Sequence, residues 1–199
     1  MEQILFLIYE FLSAFLPFFL IYMIRRVRIK QKRDDLILMI FLTYVVAVFH
    51  VTGAGTLYDG MSYRWEIRPD QLNFSPFSNE IDVAAYLLNV LLFVPWGLLV
   101  PLCWREGNCA DVLGSSLFFT VLLEVSQLLN NRRTDIDDLI LNVLGAFVGY
   151  LLYQLLARFT NIKRHEYNLM ELLVCVFVLF AGRFFLFHEM VLAKLIYGF

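Results

Sequence analysis

Polar side chains that could do chemistry lie inside long apolar stretches of this 199-residue sequence. Five of them are costly at their expected depth in a membrane: Asn89, Glu124, Gln127, Asp138 and Asn142. An ionisable side chain in a membrane-spanning helix usually faces the bundle interior or a partner and marks a functional position. Glu124 is the strongest candidate, and its obvious counter-charges, Arg132 and Arg133, follow it by about two helical turns. Carboxylates and amides placed in this way can bind a polar ligand, hold a cation through oxygen atoms or transfer a proton.

Helical spacing gathers these groups on shared faces. One face of the Glu124 stretch carries four polar residues: Ser116, Thr120, Glu124 and Gln127. One face of the next stretch combines polar and small residues: Asp138, Asn142, Gly145 and Gly149. The last two form a GxxxG pair, which lets another helix backbone approach closely. The polar face of that helix is therefore expected to be its tight-packing face as well.

The elements that must position these residues are membrane-spanning helices. Hydrophobic residues make up 60% of the chain and charged residues 17%, against roughly 25% charged in average soluble domains. This composition predicts an all-α, polytopic transmembrane helix bundle that forms a single domain over residues 1–199. We expect about six spans, at approximately 4–24, 36–54, 83–102, 112–129, 138–157 and 169–187.

Strict alternation of the spans brings three helix ends to one membrane face. These are the start of the third span, the end of the fourth and the start of the fifth. Asn89, Glu124 and Asn142 then lie at similar depths, roughly 6–9 Å from the helix ends at a rise of 1.5 Å per residue. The first, second and sixth spans are expected to be scaffold, with Arg183 extending from the end of the sixth toward the membrane surface.

Several of these residues also have a purely structural interpretation. Thr134 or Asp135 could cap the fifth helix, and Asp137 could complement its dipole from the first turn. Asn89 and Asn142 could simply hydrogen-bond between helices.

Loop charges predict the orientation. The first, third and fifth loops (25–35, 103–110 and 158–168) hold six, one and three Lys or Arg, whereas loops 55–82 and 130–137 hold two each. Loops rich in Lys and Arg stay in the cytoplasm. The first, third and fifth loops hold ten of these residues and the other two loops hold four, so both termini and the polar cluster are predicted to lie outside the cell.

Other classes of function find little support in the sequence. No basic field indicates nucleic-acid binding, and the three cysteines and three histidines lack the spacing of a metal site. We therefore predict no metal and no cofactor, with membrane lipid as the general partner. Cys103 and Cys109 are expected to be free thiols on the reducing side of the membrane.

Three segments in order resemble the VanZ-like family of bacterial membrane proteins: YLLNVLLFVPWGLLVPL, LLEVSQLL and RRTDIDDLILNVLGAFVGYLL. The resemblance covers about residues 73–153. Twelve positions carry it: Asn89, Phe93, Pro95, Gly97, Glu124, Gln127, Arg132, Asp135, Asp138, Asn142, Gly145 and Gly149. It implies a role at the cell envelope associated with resistance to glycopeptide antibiotics, teicoplanin more than vancomycin. It implies no particular biochemical activity.

Three functions compete at this point. In the first, an outward-facing pocket binds a lipid-linked envelope intermediate or a lipidated glycopeptide through eight residues: Asn89, Glu124, Gln127, Arg132, Arg133, Asp135, Asp138 and Asn142. In the second, the acidic residues belong to a membrane-embedded enzyme that modifies a lipid-linked cell-wall substrate. The absence of a recognised catalytic motif makes an enzyme the less favoured interpretation. A transporter ranks last, because no internal repeat is evident.

Overall fold

The computed structural model describes residues 2–29, 36–78, 82–104, 107–160 and 167–188. These residues form seven α-helices: α1 (Glu2–Ile29), α2 (Leu36–Thr52), α3 (Leu57–Ser62), α4 (Val83–Cys103), α5 (Cys109–Gln127), α6 (Ile136–Phe159) and α7 (Leu169–Leu186). Two 3₁₀ turns (Pro69–Gln71 and Leu128–Asn130) and two short strands, β1 (Leu72–Asn73) and β2 (Thr134–Asp135), complete the described part. Residues 30–35 and 161–166, which hold much of the loop charge behind the predicted orientation, lie outside it.

Within the described residues, six helices are long and apolar enough to cross a membrane, which confirms the predicted all-α bundle. The predicted bounds agree with the helices to within a few residues. The largest difference is at the first span, where the helix continues to Ile29 instead of ending at 24. The second helix ends at Thr52 instead of continuing to 54. Gly53 has a φ of +61° and so ends the helix, while the Ala54 amide donates to the Phe49 carbonyl at 3.0 Å.

The α4 and α6 helices pack in backbone contact. A Cβ atom built on Gly145 would lie 2.1 Å from the Val90 carbonyl oxygen, and one built on Gly149 would lie 2.0 Å from that of Val94. Gly97 approaches α6 in the same way from the α4 side. This contact fixes the depth at which the polar residues of the two helices face each other.

An aromatic cluster joins α2, α4 and α5. The rings of Trp96 and Phe119 stack, with centroids 4.6 Å apart and planes 12° from parallel. Phe41 of α2 meets Trp96 edge to face at 5.2 Å, and Phe49 lies 5.6 Å from Phe119. The indole nitrogen of Trp96 donates to Ser115 Oγ at 3.2 Å, so its polar atom is satisfied.

A buried ion pair connects α1 with α7. Arg183 Nε donates to Glu10 Oε1 at 2.6 Å, and both side chains are almost fully buried. His50 of α2 lies 2.6 Å from the other Glu10 oxygen, and Arg183 also donates to the Ala54 carbonyl. The expectation that Arg183 extends to the membrane surface is therefore wrong. Its guanidinium turns inward because Glu10, which was not among the predicted site residues, offers a carboxylate at the same depth.

The loop before α4 is tied to the start of α6. Strand β1 pairs in parallel with β2, with Leu72 opposite Thr134 and Asn73 opposite Asp135. The Asn73 amide donates to Asp135 Oδ2 at 3.0 Å. Asp135 also caps α6 by accepting from the Asp137 amide at 3.1 Å, so the predicted cap is confirmed.

Asp137 lies in the first turn of α6, as expected for a residue that complements the helix dipole, and it has further contacts. Its buried carboxylate accepts from the Phe77 backbone amide at 2.8 Å and from the Tyr86 hydroxyl at 2.5 Å. It therefore links the loop, α4 and α6 at the membrane face where the polar residues gather.

Candidate functional site

A cavity of about 360 Å³ opens where α2 and α5 end and α4 and α6 begin. Its lining is mostly polar: Val51, Thr52, Asn89, Leu92, Leu123, Glu124, Gln127, Arg132, Arg133, Asp138 and Asn142. The structure thus brings seven of the eight predicted site residues together. Their role in binding stays a prediction.

The floor of this cavity is formed by Glu124 and Asn142. Each residue is only 5% exposed. In the described structure, Glu124 Oε2 and Asn142 Oδ1 have no hydrogen-bond partner. Buried acceptors without partners are rare, because desolvation of a polar group costs about 1–3 kcal/mol when no hydrogen bond replaces water. Both atoms are oxygens that a hydrogen-bond donor in the cavity would satisfy.

One wall of the cavity is held by a hydrogen bond between helices. Asn89 of α4 donates through Nδ2 to Asp138 Oδ1 of α6. The expectation that an asparagine joins the helices is therefore correct for Asn89, and Asp138 keeps further acceptor capacity.

The opposite wall is formed by the end of α2. Gln127 Nε2 donates to the Thr52 carbonyl at 2.7 Å, and Arg132 also donates to that oxygen. Asn130 donates to the Gly53 carbonyl at 2.7 Å. The last carbonyls of a helix have no intrahelical donor, and the α5 end supplies donors to them. The second span is therefore part of the site, and its assignment to the scaffold was wrong.

The expected pairing of Glu124 with an arginine is also wrong. Among the described residues, no ion pair within 4 Å joins Glu124 to Arg132 or Arg133. Arg132 turns instead toward the Thr52 carbonyl. Both arginines are exposed at the mouth of the cavity, while the carboxylate lies at its floor.

Asp135 is the one predicted site residue that does not line the cavity. Its carboxylate is engaged by the α6 cap and by Asn73, as described above. The sequence did not show whether Asp135 is a capping residue or a site residue, because an acid immediately before a helix fits both roles.

Four further residues of the lining were not predicted from the sequence, namely Val51, Thr52, Leu92 and Leu123. Helical phase gave a signal for the two leucines, since Leu92 follows Asn89 by three positions and Leu123 precedes Gln127 by four. Thr52 contributes through its backbone carbonyl, which no side-chain pattern reveals.

The arrangement combines acceptors at a buried floor, guanidinium groups at an exposed mouth and apolar wall residues. Six helices long and apolar enough to cross a membrane, with such a cavity among them, define a multi-pass membrane protein with a polar cavity. The model of the VanZ/LLP1 family matches residues 36–157, a range that includes every residue of the cavity lining. The chain belongs to this VanZ-like family.

A relative named Protein VanZ, from Enterococcus faecium, is 31% identical over 94 residues. The aligned segment is 47% of this chain and 58% of that protein, so the chain spans somewhat more than half of the relative's length. No solved structure matches the chain.

Proposed function

We propose that this protein acts in the plasma membrane of a bacterial cell. There it binds a lipid-linked envelope intermediate or a lipidated glycopeptide in the cavity between α2, α4, α5 and α6. Through this binding it contributes to teicoplanin-type resistance, the role that the family resemblance implies.

One observation carries the proposal. Two buried acceptors, Glu124 Oε2 and Asn142 Oδ1, have no partner among the described residues and face a cavity with exposed Arg132 and Arg133 at its mouth. A ligand with both donor and acceptor groups would satisfy the two ends of this cavity at once.

The predicted orientation supports access from outside. Ten Lys or Arg in the first, third and fifth loops against four in the other two favour an outward-facing cavity. An outward cavity would meet envelope intermediates and antibiotics on the side of the membrane where they accumulate.

Replacing Glu124 with Gln or Asp138 with Asn is expected to lower teicoplanin resistance to that of cells without the protein, at unchanged membrane abundance. Each change removes a carboxylate and keeps the side-chain size. The measurement is the minimal inhibitory concentration in a susceptible host, with protein quantified by immunoblot.

Matched controls for these variants are Glu66→Gln and Asp70→Asn, which alter exposed acids outside the cavity lining. Both controls are expected to keep full resistance. Full resistance in both cavity variants would reject a role for the cavity.

A membrane-embedded enzyme is the second candidate, favoured by the two carboxylates of Glu124 and Asp138 in one cavity. Such a pair can serve as acid and base toward a lipid-linked cell-wall substrate. Incubating the purified protein with lipid-linked precursors, with and without EDTA, would separate the two functions. A new product that Glu124→Gln abolishes would replace binding with catalysis as the function of this cavity.

A further inference from the structure

We propose that the cavity selects a zwitterionic head group, with a primary ammonium at the floor and a phosphate at the mouth. This inference rests on the proposed function, because it names the chemical class of the ligand for the same cavity. It follows from where the structure leaves acceptors unsatisfied and where it leaves cations exposed.

The floor is specific for a donor that carries positive charge. Glu124 Oε2 and Asn142 Oδ1 are both acceptors, and Asp138 adds a second carboxylate whose Oδ1 accepts from Asn89. An anionic group placed here would meet two carboxylates. A primary ammonium has three N–H donors and no acceptor, so it can satisfy the floor without leaving an unpaired atom of its own.

The protein's own cations do not neutralise the floor. No described ion pair within 4 Å includes Glu124 or Asp138, and Arg132 donates to the Thr52 carbonyl at the end of α2. Arg183, the buried arginine, is engaged by Glu10. None of these described cations therefore lies against the floor, where an ammonium group of a ligand would be the counter-charge.

The mouth of the cavity favours an anionic group. Arg132 and Arg133 are exposed there, and each guanidinium carries five N–H donors in a geometry that suits phosphate. Arg132 uses one nitrogen for the Thr52 carbonyl and retains others. A phosphate at this position would bind without competing with a buried carboxylate.

Charge balance also favours a zwitterion. The cavity lining contains two carboxylates, Glu124 and Asp138, and two guanidinium groups, Arg132 and Arg133. A head group with one ammonium and one phosphate diester adds no net charge to this set. Val51 and Leu92 form an apolar part of the cavity wall next to these groups. The Val51 side chain is exposed, so this part of the wall lies at the protein surface.

A direct test compares three dioctanoyl phospholipids that share their acyl chains and phosphate. Calorimetric titration of the purified protein in detergent would measure binding of the phosphoethanolamine, phosphocholine and phosphoglycerol lipids. We expect the phosphoethanolamine lipid to bind about tenfold more tightly than either other lipid, because only its head group combines a positive charge with N–H donors for the floor. Phosphocholine carries the same positive charge but no N–H donor, so it isolates the role of the hydrogen bonds.

Two variants test the floor and the mouth of the cavity separately. Glu124→Gln is expected to remove the preference for phosphoethanolamine, whereas Arg133→Gln should weaken binding of all three lipids to a similar extent. Glu66→Gln and Arg68→Gln, exposed and outside the cavity lining, serve as controls and should leave all affinities unchanged. Equal affinity of the wild-type protein for phosphoethanolamine and phosphocholine would overturn the inference, whatever the variants do.

The same preparation distinguishes this inference from the proposed function. If the three lipids bind equally but a labelled lipid-linked precursor or teicoplanin still binds in a Glu124-dependent way, only the head-group selectivity is wrong. If no amphiphile binds the wild-type protein, both the selectivity and the proposed binding function are wrong.

Discussion

Replacing Arg183 with methionine is expected to reduce the yield of folded protein severely. The change leaves Glu10 buried with its Oε1 oxygen unpaired and removes the donor to the Ala54 carbonyl. Loss of one partner of a buried ion pair costs about 3–5 kcal/mol, which is a large part of the stability of a typical domain. Glu10→Leu is expected to be comparably damaging, because it leaves the Arg183 charge buried among apolar helices.

The double variant Glu10→Leu/Arg183→Met provides the sharper test of this interaction. An apolar pair can replace a buried ion pair at little net cost, so the double variant should be more stable than either single variant. The measurement is the midpoint of thermal unfolding of detergent-purified protein, followed by size-exclusion chromatography. A double variant destabilised by the sum of the two single effects would show that the two residues do not act as a pair.

Replacing Gly145 or Gly149 with alanine is expected to push α4 away from α6 and to lower the unfolding midpoint, the folding yield and the resistance. The new Cβ atoms would lie about 2 Å from the backbone carbonyl oxygens of Val90 and Val94. Backbone atoms cannot move aside as a flexible side chain can, so the helices themselves must shift. Overpacking of this kind typically costs about 1–3 kcal/mol and sometimes more. The shift would also break the hydrogen bond between Asn89 and Asp138 that forms a cavity wall.

Gly114 of α5 is a matched control for these substitutions, since a Cβ there would meet nothing within 4 Å. Gly114→Ala should be neutral or stabilise the protein by about 0.5–1 kcal/mol, because alanine favours the helix interior. Unfolding midpoints of the three alanine variants would be compared in one detergent. Equal midpoints for Gly145→Ala and Gly114→Ala would contradict the close contact between α4 and α6.

The sequence was informative about which helix ends meet. Alternation of spans alone places the ends that carry Asn89, Glu124 and Asn142 on one face, and helical phase predicts that their side chains point inward. Both kinds of reasoning use only the order and period of the chain, and neither requires knowledge of which helices are neighbours.

The same reasoning could not predict contacts between helices that are far apart in the sequence. Glu10 and Arg183 are 173 positions apart, and nothing in their local spacing indicates that α1 packs on α7. An arginine near a helix end fits both snorkelling and burial, and only the position of Glu10 decides between them. The role of α2 was missed for a related reason, because it enters the site through a backbone carbonyl at Thr52.

The hydrogen bonds of the cavity wall also guide the choice of variants. Gln127 and Arg132 support the end of α2 as well as lining the cavity, so their removal would combine a loss of stability with a loss of binding. The Glu124 Oε2 atom has no partner in the described structure. Glu124→Gln is therefore the cleaner probe of the site.

The most direct test of the binding cavity is a cryo-electron microscopy map of the protein extracted from native membranes without added ligand. A Fab fragment or fused domain would provide the size needed for alignment. We predict non-protein density that touches Glu124 Oε2 at the floor and extends toward Arg133 at the mouth. A water-filled cavity in which Arg132 or Arg133 has moved to pair directly with Glu124 would contradict the account.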